Sequence, residues 1–207
     1  MHKLADSYLI NRMVLLMNKI NTGFSDVDYL LSELVSALKV ILNDNLLGIY
    51  VYGSLVWGDF DHAASDVDVV VALNDEITTK DFEGLDTFHT VLIQKFPVWN
   101  DRIEIAYASQ TTLKNFKYKM SKIAVISPGE AFNIKNTGTD WLINYYLLQN
   151  QSLILHGPSP KSIITSISKR EFITHVIKQA VEWKDWVVHT QHSLGYQYYA
   201  VLTLCRA

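Results

Sequence analysis

The chain has 207 residues, of which 49% are hydrophobic and 19% charged, with a formal net charge of −3. This is enough apolar material for one ordinary domain with a smaller appendage, or for two small domains. The slight acidity argues against a generic nucleic-acid binder, whose surface would be basic, yet it leaves room for a small anionic ligand at one local site. Cys205 is the only cysteine, so no internal disulfide can form, and no zinc-type spacing is present. The expected compartment is a reducing cytoplasm. No signal-peptide pattern opens the chain, and no run of about 18 apolar residues occurs, so neither secretion nor a membrane span is expected.

Taken in chain order, Leu4, Ile10, Met13, Leu16, Met17 and Ile20 fall at helical spacing and predict a first amphipathic helix over 4–20. A second follows Ser25, where Ser25 and Asp28 resemble a capping box and Leu30, Leu31, Leu34, Val35, Leu38 and Ile41 form one apolar stripe. Asn43-Asp44-Asn45 carries the chemistry of a turn. Gly48–Gly53 is short and rich in β-formers and predicts a strand. Residues 54–65 predict a loop with a short helical turn. Val67–Leu73 is nearly continuous valine, the pattern of a strand buried on both faces. Residues 79–95 predict a helix, Pro97 ends it, and Arg102–Tyr107 alternates as a third strand. Over 110–138 only turn signals stand out, at Pro128-Gly129 and Thr137-Gly138. Beyond Asp140 the pattern predicts helices to Gln149, over 170–190 and over 196–206, with a loop at His156–Pro160. These elements imply an α/β (α+β) protein, with a mixed-sheet domain over 1–139 and a helical domain over 140–207.

The chemistry-bearing stretch is Gly53-Ser54-Leu55-Val56-Trp57-Gly58, then Ser65-Asp66-Val67-Asp68. On a strand, Asp66 and Asp68 project from one face with Cα atoms about 6.5–7 Å apart. Two such carboxylates repel unless a cation neutralises them, and Mg²⁺ favours carboxylate and phosphate oxygens. Glu104, between Ile103 and Ile105 on the next strand, faces the same side if those two face the core. Three carboxylates on one side, Asp66, Asp68 and Glu104, can hold one or two metal ions for displacement at phosphorus. Glu104 can instead act as general base towards a hydroxyl. Gly53 lets backbone N–H groups approach a phosphate, and Ser54 and Ser65 add donors.

The ordered set resembles the DNA polymerase β-type nucleotidyltransferases. Arg102-Ile-Glu-Ile, Pro128-Gly-Glu130, Ser152–Pro158 and Ala200–Arg206 extend the likeness towards the aminoglycoside (streptomycin/spectinomycin) adenylyltransferases, which have a nucleotidyltransferase domain followed by a helical one. The resemblance implies Mg²⁺ on Asp66 and Asp68, and Glu104 as catalytic base. It also implies nucleotide phosphates against Gly53, Ser54 and Ser65, with Arg206 reaching the triphosphate. The implied reaction moves AMP from ATP to a hydroxyl of a small acceptor of aminoglycoside type and releases pyrophosphate. The chain carries Ala131 where those enzymes place a Trp, and Tyr196 where they place an Asp. It also stops at Ala207, ahead of further helices of that family, so the helical domain is read as a candidate truncation.

Alternative readings are a protein-modifying nucleotidyltransferase of the antitoxin kind and a non-catalytic nucleotide-binding relative. The lysines at 114, 117, 119 and 122 are expected on a solvated face. Trp183 and Trp186, and Cys205, are expected to pack between helices. His189 and His192 lack a third metal ligand nearby. Tyr145, Tyr146, Tyr196, Tyr198 and Tyr199 suit either core packing or an acceptor cleft.

Overall fold

In a computed structural model, residues 20–186 and Gln197 are described. The predicted helices over 4–20 and 196–206, together with His189, His192, Tyr196, Tyr198, Tyr199, Cys205 and Arg206, lie outside the described residues. The element order is α1 (Ser25–Leu42), β1 (Leu46–Tyr52), α2 (Ser54–Trp57), β2 (Val67–Leu73), α3 (Thr79–Lys95) and β3 (Ile103–Ser109). It continues with α4 (Gln110–Asn115), β4 (Ser121–Ser127), β5 (Glu130–Thr137), α5 (Leu142–Asn150), β6 (Leu153–His156), α6 (Pro160–Ile163) and α7 (Lys169–Trp186). Among the described residues no helix is long and apolar enough to cross a membrane.

The six strands form one mixed sheet in the order β5-β4-β3-β2-β1-β6. β2 and β3 run parallel, and the other neighbours are antiparallel. A parallel pair needs a crossover, and α3 supplies it. Both faces of the central strands are covered, which is why β2 could be continuous valine. On one face Leu30, Leu34 and Leu38 of α1 and Leu85 and Leu92 of α3 pack on Val69, Val71 and Ile105. On the other, Phe116, Leu142, Tyr145 and Leu148 pack on Tyr50, Val70, Ala106 and Ala108. Each fully buried leucine contributes about 1.5–3 kcal/mol.

The helix starts differ from one another. α3 opens with a capping box, in which Thr78 N–H donates to Asp81 Oδ2 and Asp81 N–H to Thr78 Oγ1, both at 3.1 Å. α1 does not use the predicted Ser25–Asp28 box. Ser25 is already the first helical residue, so Asp28 instead accepts from the N–H and hydroxyl of Thr22, at 2.8 and 2.7 Å.

The chain beyond residue 139 contributes α5, α6 and α7, and also β6, which pairs with β1. Gly157 follows β6 at φ +86, and a Cβ there would stand 2.2 Å from the carbonyl oxygen of Leu47. Backbone strain and a clash with backbone act together. Gly157→Ala is therefore expected to cost about 2–4 kcal/mol and to lower Tm by about 5–10 °C, read from a thermal melt.

Candidate functional site

Tyr52 of β1 lies opposite Asp68 of β2, and Asp68 lies beside Glu104 of β3 in the parallel register. Residues paired across a sheet project from the same face. This face is the one that carries Tyr50, Val70 and Ala106 further along. The row sits where β1 ends and β2 and β3 begin. Asp66 stands just ahead of Val67, the first residue of β2, so it precedes the strand instead of lying on it as the sequence suggested. The loop before β2 is held by other contacts, and pairing starts only at Val67.

Like charges crowd this end of the sheet. Burial, and then the charge of Asp66, push the Glu104 carboxyl up, against the hydrogen bond from Ser127 and the charge of Lys135, which favour its ionised form. The Tyr52 phenol, only 5% exposed, is held well above its usual range by burial and by Asp68, Glu104 and Asp66 in turn. It stays neutral beside the row. Lys135 pairs with Glu130 at the edge of the same region.

Gly53 joins β1 to α2 at φ +76, and a Cβ on it would fall 2.0 Å from Asp68 Oδ2. The carboxylate thus lies against the glycine backbone, and a side chain at this position would have to displace it. Gly53 O accepts from the N–H groups of Val56 and Trp57, at 3.0 and 3.2 Å, which starts the α2 turn. Ser54 is the first residue of that turn and is 8% exposed. The first N–H groups of a helix lie outside its own ladder, so this turn presents backbone donors beside Asp68.

The loop leading to Asp66 is tied down by Arg102. Its guanidinium donates to Ser65 O from Nε at 3.0 Å and from Nη2 at 2.5 Å, and to His62 O at 2.9 Å, while stacking over Trp99. Phe24, Phe60, His62 and Trp99 form an aromatic cluster under the loop. The Ser65 hydroxyl accepts from Asp61 N–H at 3.0 Å, so it closes the loop locally and still has its own hydrogen to offer a ligand. A lysine cannot reproduce the fork that spans two carbonyls. Arg102→Lys is expected to loosen the loop that carries Asp66 and to lower Tm by about 2–4 °C, read from a thermal melt.

Gly53, Ser54, Asp66, Asp68 and Glu104 are thus brought to one end of the sheet, with Ser65 in the loop beside them. Among the described residues no three potential ligands close into a metal cage. The accumulated negative charge felt by Tyr52 and Glu104 suits a cation held by Asp66 and Asp68 that takes its remaining ligands from water and phosphate, as Mg²⁺ does. Sequence reasoning missed Tyr52, Ser127, Lys135 and the role of Arg102. Tyr52 was discoverable in principle, being two residues from Tyr50 at the end of a strand, just before Gly53.

Glu104 carries a pH signature. Its raised pKa means that the folded protein binds the proton more tightly than the unfolded chain, so stability falls as pH rises from the ordinary 4.5 through the folded value. In buffer without nucleotide or metal, Glu104→Gln is expected to melt above the wild type at pH 7. The difference should vanish below pH 4.5, where both side chains are neutral.

No protein-family model and no curated protein matches the chain. Among solved structures it is similar to spectinomycin adenyltransferase AAD(9) from Enterococcus faecialis, solved with ATP and spectinomycin. The TM-score is 0.65 at 18% identity, covering 86% of this chain and 73% of that one. A toxin–antitoxin structure with AMP-PNP aligns at a TM-score of 0.35 and 11% identity, over 77% of this chain and 91% of that one, too loosely to carry an argument. The likeness to the adenyltransferase is one of fold: this chain, with its mixed six-stranded sheet and helices on both faces, shares that enzyme's architecture.

Proposed function

We propose that the protein is a Mg²⁺-dependent nucleotidyltransferase that moves AMP from ATP to a hydroxyl of a small acceptor of aminoglycoside type in the cytoplasm. The observation that carries this reading is the register of Asp68 and Glu104 on adjacent strands, beside the Gly53–Ser54 turn. AAD(9), which shares the fold, was solved with ATP and spectinomycin, and this supports the choice of nucleotide and acceptor class.

Each residue has a definite task. The α2 turn at Gly53 and Ser54 offers backbone and hydroxyl donors to the nucleotide phosphates. Ser65 offers its hydroxyl hydrogen from the loop held by Arg102. Asp66 and Asp68 hold Mg²⁺, which supplies charge neutralisation on the phosphates when bound. Glu104 accepts the proton of the acceptor hydroxyl. Its raised pKa, set by burial and Asp66, makes it a better base than an exposed carboxylate. Arg206 is assigned to the triphosphate, from the helical segment that we place at 140–207, after a nucleotidyltransferase domain over 1–139.

Pyrophosphate release with ATP and Mg²⁺ against a panel of aminoglycosides tests the reading. Release that depends on one drug establishes both reaction and acceptor class. A silent panel, together with AMP transferred to a protein tyrosine or serine, would replace the small acceptor with a protein. Absence of Mg-ATP binding by calorimetry would remove the enzyme reading altogether.

A further inference from the structure

Residues 58–66 join α2 to β2, most of them face solvent, and Asp66 is the last of them. Exposed connections are ordinarily among the more mobile parts of a fold. This one is held along much of its length. Asp61 O accepts from the N–H groups of Ala64 and Ser65, at 3.1 and 2.7 Å, and Asp61 Oδ1 accepts from Ala63 N–H at 2.8 Å, which closes a turn. Arg102 then pins that turn to β3 through the carbonyls of His62 and Ser65.

A further anchor comes from α1, on the other side of the loop. His62 Nε2 lies 2.9 Å from Asp26 Oδ2, 36 residues away in sequence. The imidazole stacks on Phe24 at 5.5 Å, and it meets Trp99 and Phe60 edge-on at 5.7 and 6.5 Å. Phe24 is the residue just before α1, and Asp26 lies in its first turn. Both are themselves fixed. Asp28 accepts from the N–H and hydroxyl of Thr22, and Thr22 Oγ1 accepts from Phe24 N–H at 3.3 Å. Behind them, Leu30, Leu31 and Leu34 bury the helix in the core.

The strength of this anchor shows what it is suited to. The side chains of His62 and Asp26 are each 47% exposed, and exposed pairs add little to the stability of a whole fold. Ring contacts add somewhat more. Set against the backbone freedom of one short segment, the same interactions are large enough to choose a single conformation. The chain from His62 to Asp66 is that segment.

We propose that His62 is a positioning residue for Asp66. Its bond to Asp26 and its packing on Phe24 and Trp99 tie the loop to α1, so that Asp66 is already in place at the carboxylate row before a cation arrives. This rests on the transferase reading, in which Asp66 and Asp68 hold Mg²⁺.

Calorimetry of Mg-ATP binding by the full chain, without acceptor, tests the proposal independently of turnover. His62→Ala removes the ring contacts and the bond together. It should weaken Mg-ATP about tenfold, the lower end of what groups behind a metal ligand contribute. His62→Phe keeps a ring and loses only the bond, and should weaken binding about threefold. Asp26→Ala removes that bond from the other side and should match it. The two combined, His62→Phe with Asp26→Ala, should be no weaker than either alone. In the Asp66→Asn protein, His62→Ala should cost nothing further, which separates the placing of Asp66 from a general loosening of the fold. Wild-type affinity in a folded His62→Ala protein, or an equal tenfold loss in the Asp66→Asn background, overturns the proposal alone. A wild type that binds no Mg-ATP overturns the transferase reading and the proposal with it.

Discussion

Asp68→Asn is expected to lower nucleotide transfer by at least about a thousandfold while leaving the protein folded. The carboxylate stands between Tyr52 and Glu104 on the buried central strand and lies against Gly53. Asparagine keeps the shape and loses the charge. It cannot neutralise a divalent cation or help Asp66 hold one. Folding should not suffer, because the substitution removes one of the like charges gathered at this end of the sheet. Pyrophosphate release gives the activity, and a thermal melt in the same buffer gives the fold, with Tm expected at or above the wild-type value. Full transfer by a folded Asp68→Asn protein would take Asp68 out of the site and the proposed chemistry with it.

Gly53→Ala should damage both activity and stability, for two separable reasons. The residue is at φ +76 and ψ −155, a region almost closed to residues with a Cβ, which costs an alanine about 1–3 kcal/mol. In addition, the new Cβ would meet Asp68 Oδ2 at 2.0 Å and Cγ at 3.0 Å, so the carboxylate must swing away or the turn must open. We expect Tm to fall by about 3–6 °C and kcat by about a hundredfold. Gly157→Ala is the informative control. It clashes with the backbone of Leu47, remote from the row, and should lose stability without changing kcat of the folded protein. Equal kcat in the two variants would mean that the close approach of Gly53 to Asp68 has no catalytic consequence.

What the sequence disclosed depended on how local the cause was. β1, β2 and α3 were readable because valine runs and helical spacing decide them within a few residues, and the Gly53–Ser54 turn carries its own chemistry. The β4–β5 hairpin was not readable beyond its Pro128-Gly129 turn. β5 is an edge strand whose Asn133, Lys135 and Asn136 disguise the alternation, and its identity rests on pairing with β4. β6 is four residues long and exists as a strand only through β1.

The site divides in the same way. Asp66, Asp68 and Glu104 were visible as residue types at a suggestive spacing. Tyr52 acquires meaning only from the β1–β2 register. Arg102 acts through carbonyls 37 and 40 residues away in sequence, which no local pattern announces. The predicted capping role of Ser25 failed because the helix starts one residue too early for it, a boundary that propensity does not resolve.

The placement of β6 also has a consequence for biosynthesis. Tyr50 of β1 donates its hydroxyl hydrogen to Pro158 O, across a sequence separation of 108 residues, and β6 covers the outer edge of β1. As the chain leaves the ribosome, β1 can pair with β2 early, yet its other edge stays open until residues beyond 153 emerge. At about 5–20 residues per second, that edge is exposed for several seconds to neighbouring nascent chains. Production should therefore be sensitive to temperature and expression rate, with slow, cool synthesis giving more folded protein.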